Sequence, residues 1–192
     1  CNTRTGGITY YADISQAPVT KLLASIGAPT DFPIVMFTDS SWQDCPDTSR
    51  STGCYLIFCQ GGIVDSASFV PDPIALSSAE AEYQIAAFGI SGCEHTRQVF
   101  QEMHGLDADT ALTIPILTDS QSAMAMASSD RDTRRTRHIR RRYHYVRIQI
   151  SNSAHIILKI DGTLNISDIG TKLQDYATFL RHRAIIHTEV PP

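Results

Sequence analysis

The sequence predicts an α/β domain. Its centre is a five-stranded mixed sheet, three antiparallel strands plus parallel additions, flanked by helices. Three observations lead there. Strand signals begin at Ile34, Cys54 and Ile63 with no helical stretch between them, and Gly61-Gly62 suits a tight turn between the last two, as in an antiparallel meander. A long helical stretch from Ala75 to Met103 precedes the apolar run Ile114–Thr118, and a strand reached through a long helix runs parallel to its partner. Finally, Ile34–Trp42, read IVMFTDSSW, is echoed by Ile114-Pro-Ile-Leu-Thr-Asp119-Ser, the same order of apolar strand, Thr, Asp and Ser.

Bulk properties narrow the class. A chain of 192 residues with 42% hydrophobic content can fill one core. No apolar run reaches the ~18 residues of a membrane span, and the first residues do not read as a signal peptide. The start at Cys1 rather than Met is expected of a piece excised from something longer. Five cysteines without a Cys-x-x-Cys pair fit reduced, intracellular thiols better than a disulfide framework or a zinc site. The net charge of −4 hides an asymmetry. Arg131 to Arg147 holds eight of the sixteen basic residues and one acid, Asp132, leaving eight basic and nineteen acidic residues elsewhere. A basic stripe on an acidic body points to a polyanion contacted at one place.

The elements follow in order. Residues 1–30 read as an upstream connection, with a weak strand at Ile8–Tyr11 and a short helix at Val19–Ser25 among Gly and Pro breaks. Residues 31–175 form the domain proper, and 176–192 the end of the last helix and a tail. In the long helix, Ser77 and Glu80 have capping-box spacing, which gives Glu80 a structural task. Glu82 lies nearly opposite Glu80 at about 100° per residue. Small residues Ala86, Ala87, Gly89 and Gly92 let this helix approach a sheet. A short helix is expected over Ser122–Ala127. Thr133–Ile150 reads as another, with Ile139, Tyr143, Val146 and Ile150 as its apolar stripe. His155–Ile160 is the fifth strand, expected near the centre because it alternates poorly. A last helix is expected from Asn165 toward Arg181.

Chemistry concentrates in a few acids. Two parallel strands that end in Asp39 and Asp119 would set two carboxylates side by side, which repel unless they share a proton or a cation. Both can equally serve as turn or helix-cap groups. Glu82 reads as a ligand or as a solvated helix residue. Asp168, in a first helical turn, reads as a ligand or as a dipole-favoured cap. Arg134, Arg135, Arg137, Arg140, Arg141 and Arg142 repel one another at helical spacing unless a phosphate backbone supplies counter-charge. His138 and His144 share their helix.

Six short stretches, in register over about residues 34–175, resemble the ribonuclease H domain at the end of copia-type retrotransposon polyproteins. Thr38-Asp39-Ser40-Ser41-Trp42 resembles that family's Ser-Asp-Ala-Asp-Trp, and Arg50-Ser51-Thr52 with Tyr55 its Arg-x-Ser-Thr-Ser-Gly-Tyr. Ala75-Leu-Ser-Ser-Ala-Glu-Ala-Glu-Tyr83 is similar to Ala-Leu-Ser-Ser-Thr-Glu-Ala-Glu-Tyr, and Asp119-Ser-Gln-Ser-Ala123 to Asp-Asn-Gln-Ser-Ala. Arg137-His138-Ile139, Arg142-Tyr143-His144 and Arg147 resemble Lys-His-Ile-Asp-Ile-Arg-Tyr-His-x-x-Arg. Ser167-Asp168-Ile169-Gly170-Thr171-Lys172 resembles Ala-Asp-x-x-Thr-Lys. Ser120 and Arg140 depart from the family's Asn and Asp, Gly53-Cys54 stands for Ser-Gly, and Gly170 weakens the last helix. The stretch Asp161–Ser167 lacks the His loop that cellular ribonucleases H carry before the last acid.

The resemblance implies a ribonuclease H-like fold and one site, in which Asp39, Glu82, Asp119 and Asp168 are the catalytic and metal-ligating residues. They would hold two Mg²⁺ ions roughly 3.5–4 Å apart, with Mn²⁺ as a substitute. The implied reaction is hydrolysis of the RNA strand of an RNA–DNA hybrid during retrotransposon reverse transcription. Ser40, Ser41, Ser78 and Ser120 would meet 2′-hydroxyls, and Arg50, Arg137, His138, Arg141 and Arg142 the phosphates. The implied partner is an upstream reverse transcriptase domain of the same polyprotein. The implied setting is intracellular, in a cytoplasmic retrotransposon particle or the nucleus, away from membranes. The rival readings are a catalytically silent nucleic-acid-binding scaffold and a DNA-directed nuclease or transposase on the same fold. Asp161 is the fallback ligand for Asp168.

Overall fold

A computed structural model of the chain describes residues 6–43, 50–72, 74–121, 124–125 and 140–189, with the backbone alone for 140–144, 188 and 189. The elements run β1 (Gly6–Gly7), α1 (Pro18–Ser25), β2 (Ile34–Ser41), β3 (Thr52–Cys59), β4 (Gly62–Phe69) and α2 (Ser78–Met103). Then come β5 (Ile114–Thr118), α3 (Arg140–Ser151), β6 (His155–Lys159), α4 (Tyr176–Ile186) and β7 (Thr188–Glu189). Five of the strands form one sheet in the order β4-β3-β2-β5-β6. The pairs β2–β3 and β3–β4 are antiparallel, and β2–β5 and β5–β6 are parallel. This is the mixed sheet that the sequence predicts.

Side-chain parity along β2 divides the core. Ile34 and Met36 point to one face, where they meet Tyr83, Ala87, Ile90 and Cys93 of α2 and Val146 of α3. Val35 and Phe37 point to the other, against Ala17, Val19, Leu22 and Leu23 around α1 and Ile166 beyond β6. Residues in the segment expected to be a connection therefore build one of the two apolar layers. Burying each such side chain stabilises the fold by roughly 1.5–3 kcal/mol. At Gly89 of α2 a Cβ would lie 2.3 Å from Met36 Sδ, so the helix approaches the sheet as its small residues predict.

Several expectations are corrected. The turn between β3 and β4 falls at Gln60-Gly61, one residue early, with φ of 49° and 76° as a primed hairpin turn requires. β6 is an edge strand among the described residues, and its three middle residues are only half-buried. No strand forms at Ile8–Tyr11; instead Gly6–Gly7 pairs with Thr188–Glu189. The expected last helix is divided. Ile166–Gly170 is a 3-10 turn, and α4 starts anew at Tyr176 with Asp175 as its N-cap. At the end of the 3-10 turn a Cβ on Gly170 would stand 2.4 Å from Cys54 Sγ and 2.8 Å from its Cβ, so the backbone there lies directly on β3. Most of the helix expected over Ser122–Ala127 lies outside the described residues, as does the start of the one expected from Thr133. Cys54, Cys59 and Cys93 are free.

Gly170→Ala therefore tests this close approach. Cys54 is buried on a paired strand and cannot yield, so the variant should lose about 1–3 kcal/mol, measured by urea denaturation.

Candidate metal centre

The register of β2 and β5 creates the site. Met36 pairs with Ile116 and Phe37 with Leu117, so Asp39 and Asp119, each two residues further, lie side by side where the strands end. Asp39 is 1% exposed and Asp119 half-buried. Glu82, 7% exposed, descends from the first turns of α2, and its Oε1 accepts the Ser40 N–H at 3.2 Å. Each of Asp39, Glu82 and Asp119 offers an oxygen within 4.8 Å of the others.

The two glutamates of α2 separate as their angular spacing predicts. Ser77 accepts the Glu80 N–H, and Glu80 Oε2 accepts from Leu76 N at 2.9 Å, one residue before the usual capping-box donor. Glu80 Oε1 accepts from Gln84. Glu80 is thus turned onto its own helix start, while Glu82 faces the other acids.

Asp168 arrives by a different route. It lies in the 3-10 turn Ile166–Gly170, whose cap Asn165 is fully buried and donates to Thr38 O at 2.9 Å. Ser167 donates to Asn165 Oδ1 at 2.6 Å, which completes the clamp. Asp168 stands outside the three-acid group and is joined to it by Lys172, whose Nζ lies 3.0 Å from Asp168 Oδ1 and 3.3 Å from Asp39 Oδ1. The Thr171 hydroxyl donates to Asp39 Oδ2. Asp161, the fallback ligand, is fully exposed and accepts from both the backbone and the hydroxyl of Thr163.

Four acids against one lysine leave the site short of positive charge. Burial, then Asp39 and Asp119, push the Glu82 carboxyl up to about 9. Burial, then Asp39, raise Asp168 to about 6, and the same causes raise Asp119. Burial alone would lower Lys172, but Asp39 and Asp168 outweigh it and its ammonium is held above the ordinary lysine range. Glu82 Oε2 is buried without a hydrogen-bond partner. An orphaned carboxylate oxygen among hard oxygen donors fits a divalent cation such as Mg²⁺ or Mn²⁺.

The expected nucleic-acid contacts are dispersed. Ser40 lies in the site, with its hydroxyl buried and unpartnered, whereas the Ser41 hydroxyl donates to Thr52 O at 3.3 Å. Ser78 is exposed at the start of α2, and the Ser120 N–H donates to the Thr118 hydroxyl. Arg50 is tied back to Pro71 O at 3.2 Å and to Asp72 at 3.4 Å. Arg137 and His138 lie outside the described residues, and Arg141 and Arg142 are described by backbone only. Sequence reasoning gave no role to Asn165, Thr171 or Lys172. The signals available were a cap-type residue before the last acid and the Thr-Lys that ends the sixth matching stretch.

A pH dependence follows from Glu82. Its folded value lies above its ordinary 4.5, so the folded chain keeps a proton that the unfolded chain releases. The stabilisation is full below that ordinary value and is lost as pH rises toward 9. Calorimetry in chelator should show a melting temperature that falls across this window, least steeply in Glu82→Gln, and Mn²⁺ should restore it most at the alkaline end.

No protein-family model matches the chain. It is 30% identical over 137 residues to the retrovirus-related Pol polyprotein from transposon TNT 1-94 of Nicotiana tabacum, a match covering 71% of this chain and 10% of the polyprotein. The chain thus spans about a tenth of the length of the curated relative it matches. A ribonuclease H1 isolated from compost by a metagenomic approach superimposes with a TM-score of 0.50 at 13% identity, over 72% of this chain and 91% of that one. Ribonuclease H1 of the halophilic archaeon Halobacterium salinarum NRC-1 gives 0.48 at 15% identity, over 70% and 89%. No described helix is long and apolar enough to cross a membrane. With the sheet order described above, the chain carries the ribonuclease H fold and is similar over 137 residues to a part of a retrovirus-related transposon Pol polyprotein.

Proposed function

We propose that the chain hydrolyses the RNA strand of RNA–DNA hybrids, as part of retrotransposon reverse transcription. One observation carries this reading above the others. Asp39, Glu82 and Asp119 converge within 4.8 Å, and a buried Glu82 oxygen among them lacks a partner. A scaffold without catalysis has no need of such a cluster, which costs stability wherever its charges are unanswered.

Asp39, Glu82 and Asp119 would hold a divalent ion, and Asp168 with Asp39 a second. When bound, Mg²⁺ or Mn²⁺ supplies an activated water and charge stabilisation at the leaving 3′ oxygen. The rest is done by the chain. The Ser40 N–H fixes one Glu82 oxygen and leaves the other, buried and unpartnered, for an ion. Asn165 holds the Asp168 turn against β2, and Thr171 orients the Asp39 carboxylate. Around this centre, Ser40, Ser41, Ser78 and Ser120 are proposed to meet the 2′-hydroxyls that mark an RNA strand. Arg137, His138, Arg141 and Arg142 are proposed to follow phosphates, contributing affinity without base readout. Arg50, tied to Pro71 and Asp72, would reach substrate only by releasing them. An upstream reverse transcriptase domain of the same polyprotein is the proposed partner, and an intracellular retrotransposon particle the setting.

A strand-specific assay on hybrid, duplex RNA and duplex DNA tests the reading. The hybrid's RNA strand should be cut in Mg²⁺ or Mn²⁺ and spared in chelator. Preferred cleavage of duplex DNA would favour a DNA-directed nuclease, and activity in chelator would remove the metal from the account.

Glu82→Gln should lower turnover by more than the roughly 10–100-fold that losing a ligand-orienting residue costs. Glu80→Gln should retain most of it, because an amide oxygen can still accept from Leu76 N. Asp168→Asn should abolish cleavage with little loss of melting temperature. Replacing Arg137, Arg141 and Arg142 with Gln should reduce the slope of log affinity against log salt by roughly 0.7–0.9 per arginine, with turnover at saturating hybrid unchanged.

A further inference from the structure

The acids divide into two positions that differ in what fills them. Among Asp39, Glu82 and Asp119 the oxygens converge, and the Lys172 charge reaches Glu82 and Asp119 only from a distance, its ion pairs among the described residues being with Asp39 and Asp168. Between Asp39 and Asp168 the gap is bridged by the Lys172 ammonium, with Nζ 3.3 Å from one carboxylate and 3.0 Å from the other. The backbone sets this placement. Lys172 N donates to Asp168 O at 3.0 Å, so one turn folds the lysine back over the acid it follows. A lysine ammonium is a compact point charge with three donors on a flexible stem. It is placed where a cation shared by two carboxylates would sit. At 41% side-chain exposure it also has an open path to solvent.

From this placement we infer that Lys172 is the resident counter-cation of the second position. The metal-bound but substrate-free chain then takes one divalent ion among Asp39, Glu82 and Asp119. It takes another between Asp39 and Asp168 only when Lys172 swings outward. An ammonium and a divalent ion cannot share one pair of carboxylate oxygens without strong repulsion. Substrate supplies the pull, because a phosphate at the site gives the displaced ammonium a new anionic partner and adds ligand oxygens for the incoming ion. Occupancy of the second position is thereby tied to substrate, and Lys172 acts as a positioning residue rather than a reacting one. This rests on the reading of the acid cluster as a metal centre, and the experiment separates the two.

The probe is Mn²⁺ alone, titrated into the full chain by calorimetry and followed by electron paramagnetic resonance. The wild type should bind one Mn²⁺, with any second weaker by a factor on the order of ten to a hundred. Lys172→Met, of similar length without charge, should bind two of comparable affinity, and Lys172→Arg should behave as wild type. Equal stoichiometry and affinities in wild type and Lys172→Met would overturn the inference. Absence of Mn²⁺ binding in both folded proteins would overturn the metal centre itself. Should Lys172→Met fail to fold, ¹³C-lysine-labelled wild type answers the same question with Mg²⁺. Its Lys172 Cε resonance should move in a second, weaker binding step, and movement in the first step, or none, would overturn the inference.

Discussion

Parallel pairing of β2 with β5 is the constraint from which the rest of the site follows. Once Phe37 stands opposite Leu117, two aspartates two residues further on must share the same strand ends, wherever the remaining chain goes. Two carboxylates at one buried sheet end repel, and Glu82 arriving from α2 adds a third. The molecule answers with Lys172 and with hydrogen bonds from the Ser40 N–H and the Thr171 hydroxyl, and its oxygens lie close enough together to suit a divalent ion. The position of α2 is part of the same solution. Its small residues bring the helix close enough to the sheet for a short side chain, Glu82, to reach the backbone of Ser40.

The site is expensive relative to its size. Each buried polar atom left without a partner costs about 1–3 kcal/mol, and here both Glu82 Oε2 and the Ser40 hydroxyl are in that state. Two apolar layers offset the cost, one under α2 and α3 and one under α1 and Ile166. The second layer depends on residues before β2 and after β6. The segment before β2 thus supports the site from the far layer, while the one after β6 both fills that layer and brings Asp168, Thr171 and Lys172 to Asp39.

How much of this was legible depended on range. Most of the strands were visible as short apolar runs and β4 by its alternation next to a glycine turn, and their parallel or antiparallel sense followed from what separates them. The Glu80–Glu82 distinction was visible because capping is local and helical geometry is fixed. Asp168 stayed ambiguous in the residues alone, since a turn-capping acid and a ligand look alike until the fold brings Asp39 within reach of the same lysine. Lys172 had no signal beyond the Thr-Lys that ends the sixth matching stretch, because its partner Asp39 lies 133 residues away. The misplaced edge strand shows the limit of reading alternation, because β6 is half-buried for want of a neighbour rather than buried by two. The divided last helix brings Gly170 against Cys54, a contact that depends on three-dimensional proximity.

The stretch from Asp161 to Lys172 has one more property. It belongs to no strand, and what fastens it to the sheet includes side-chain bonds from Asn165 to Thr38 O and from Ser68 to Gly170 O. Attachments of this kind release more readily than a strand in the middle of a ladder. Asn165, Ile166 and Ser167 are fully buried, so the stretch is also held from beneath. It carries two aspartates, Asp161 and Asp168, against one lysine, Lys172. Displacing it would therefore move one net negative charge and leave Asp39 without its ammonium partner, which ties the seating of this stretch to ionic strength and to the approach of a polyanion.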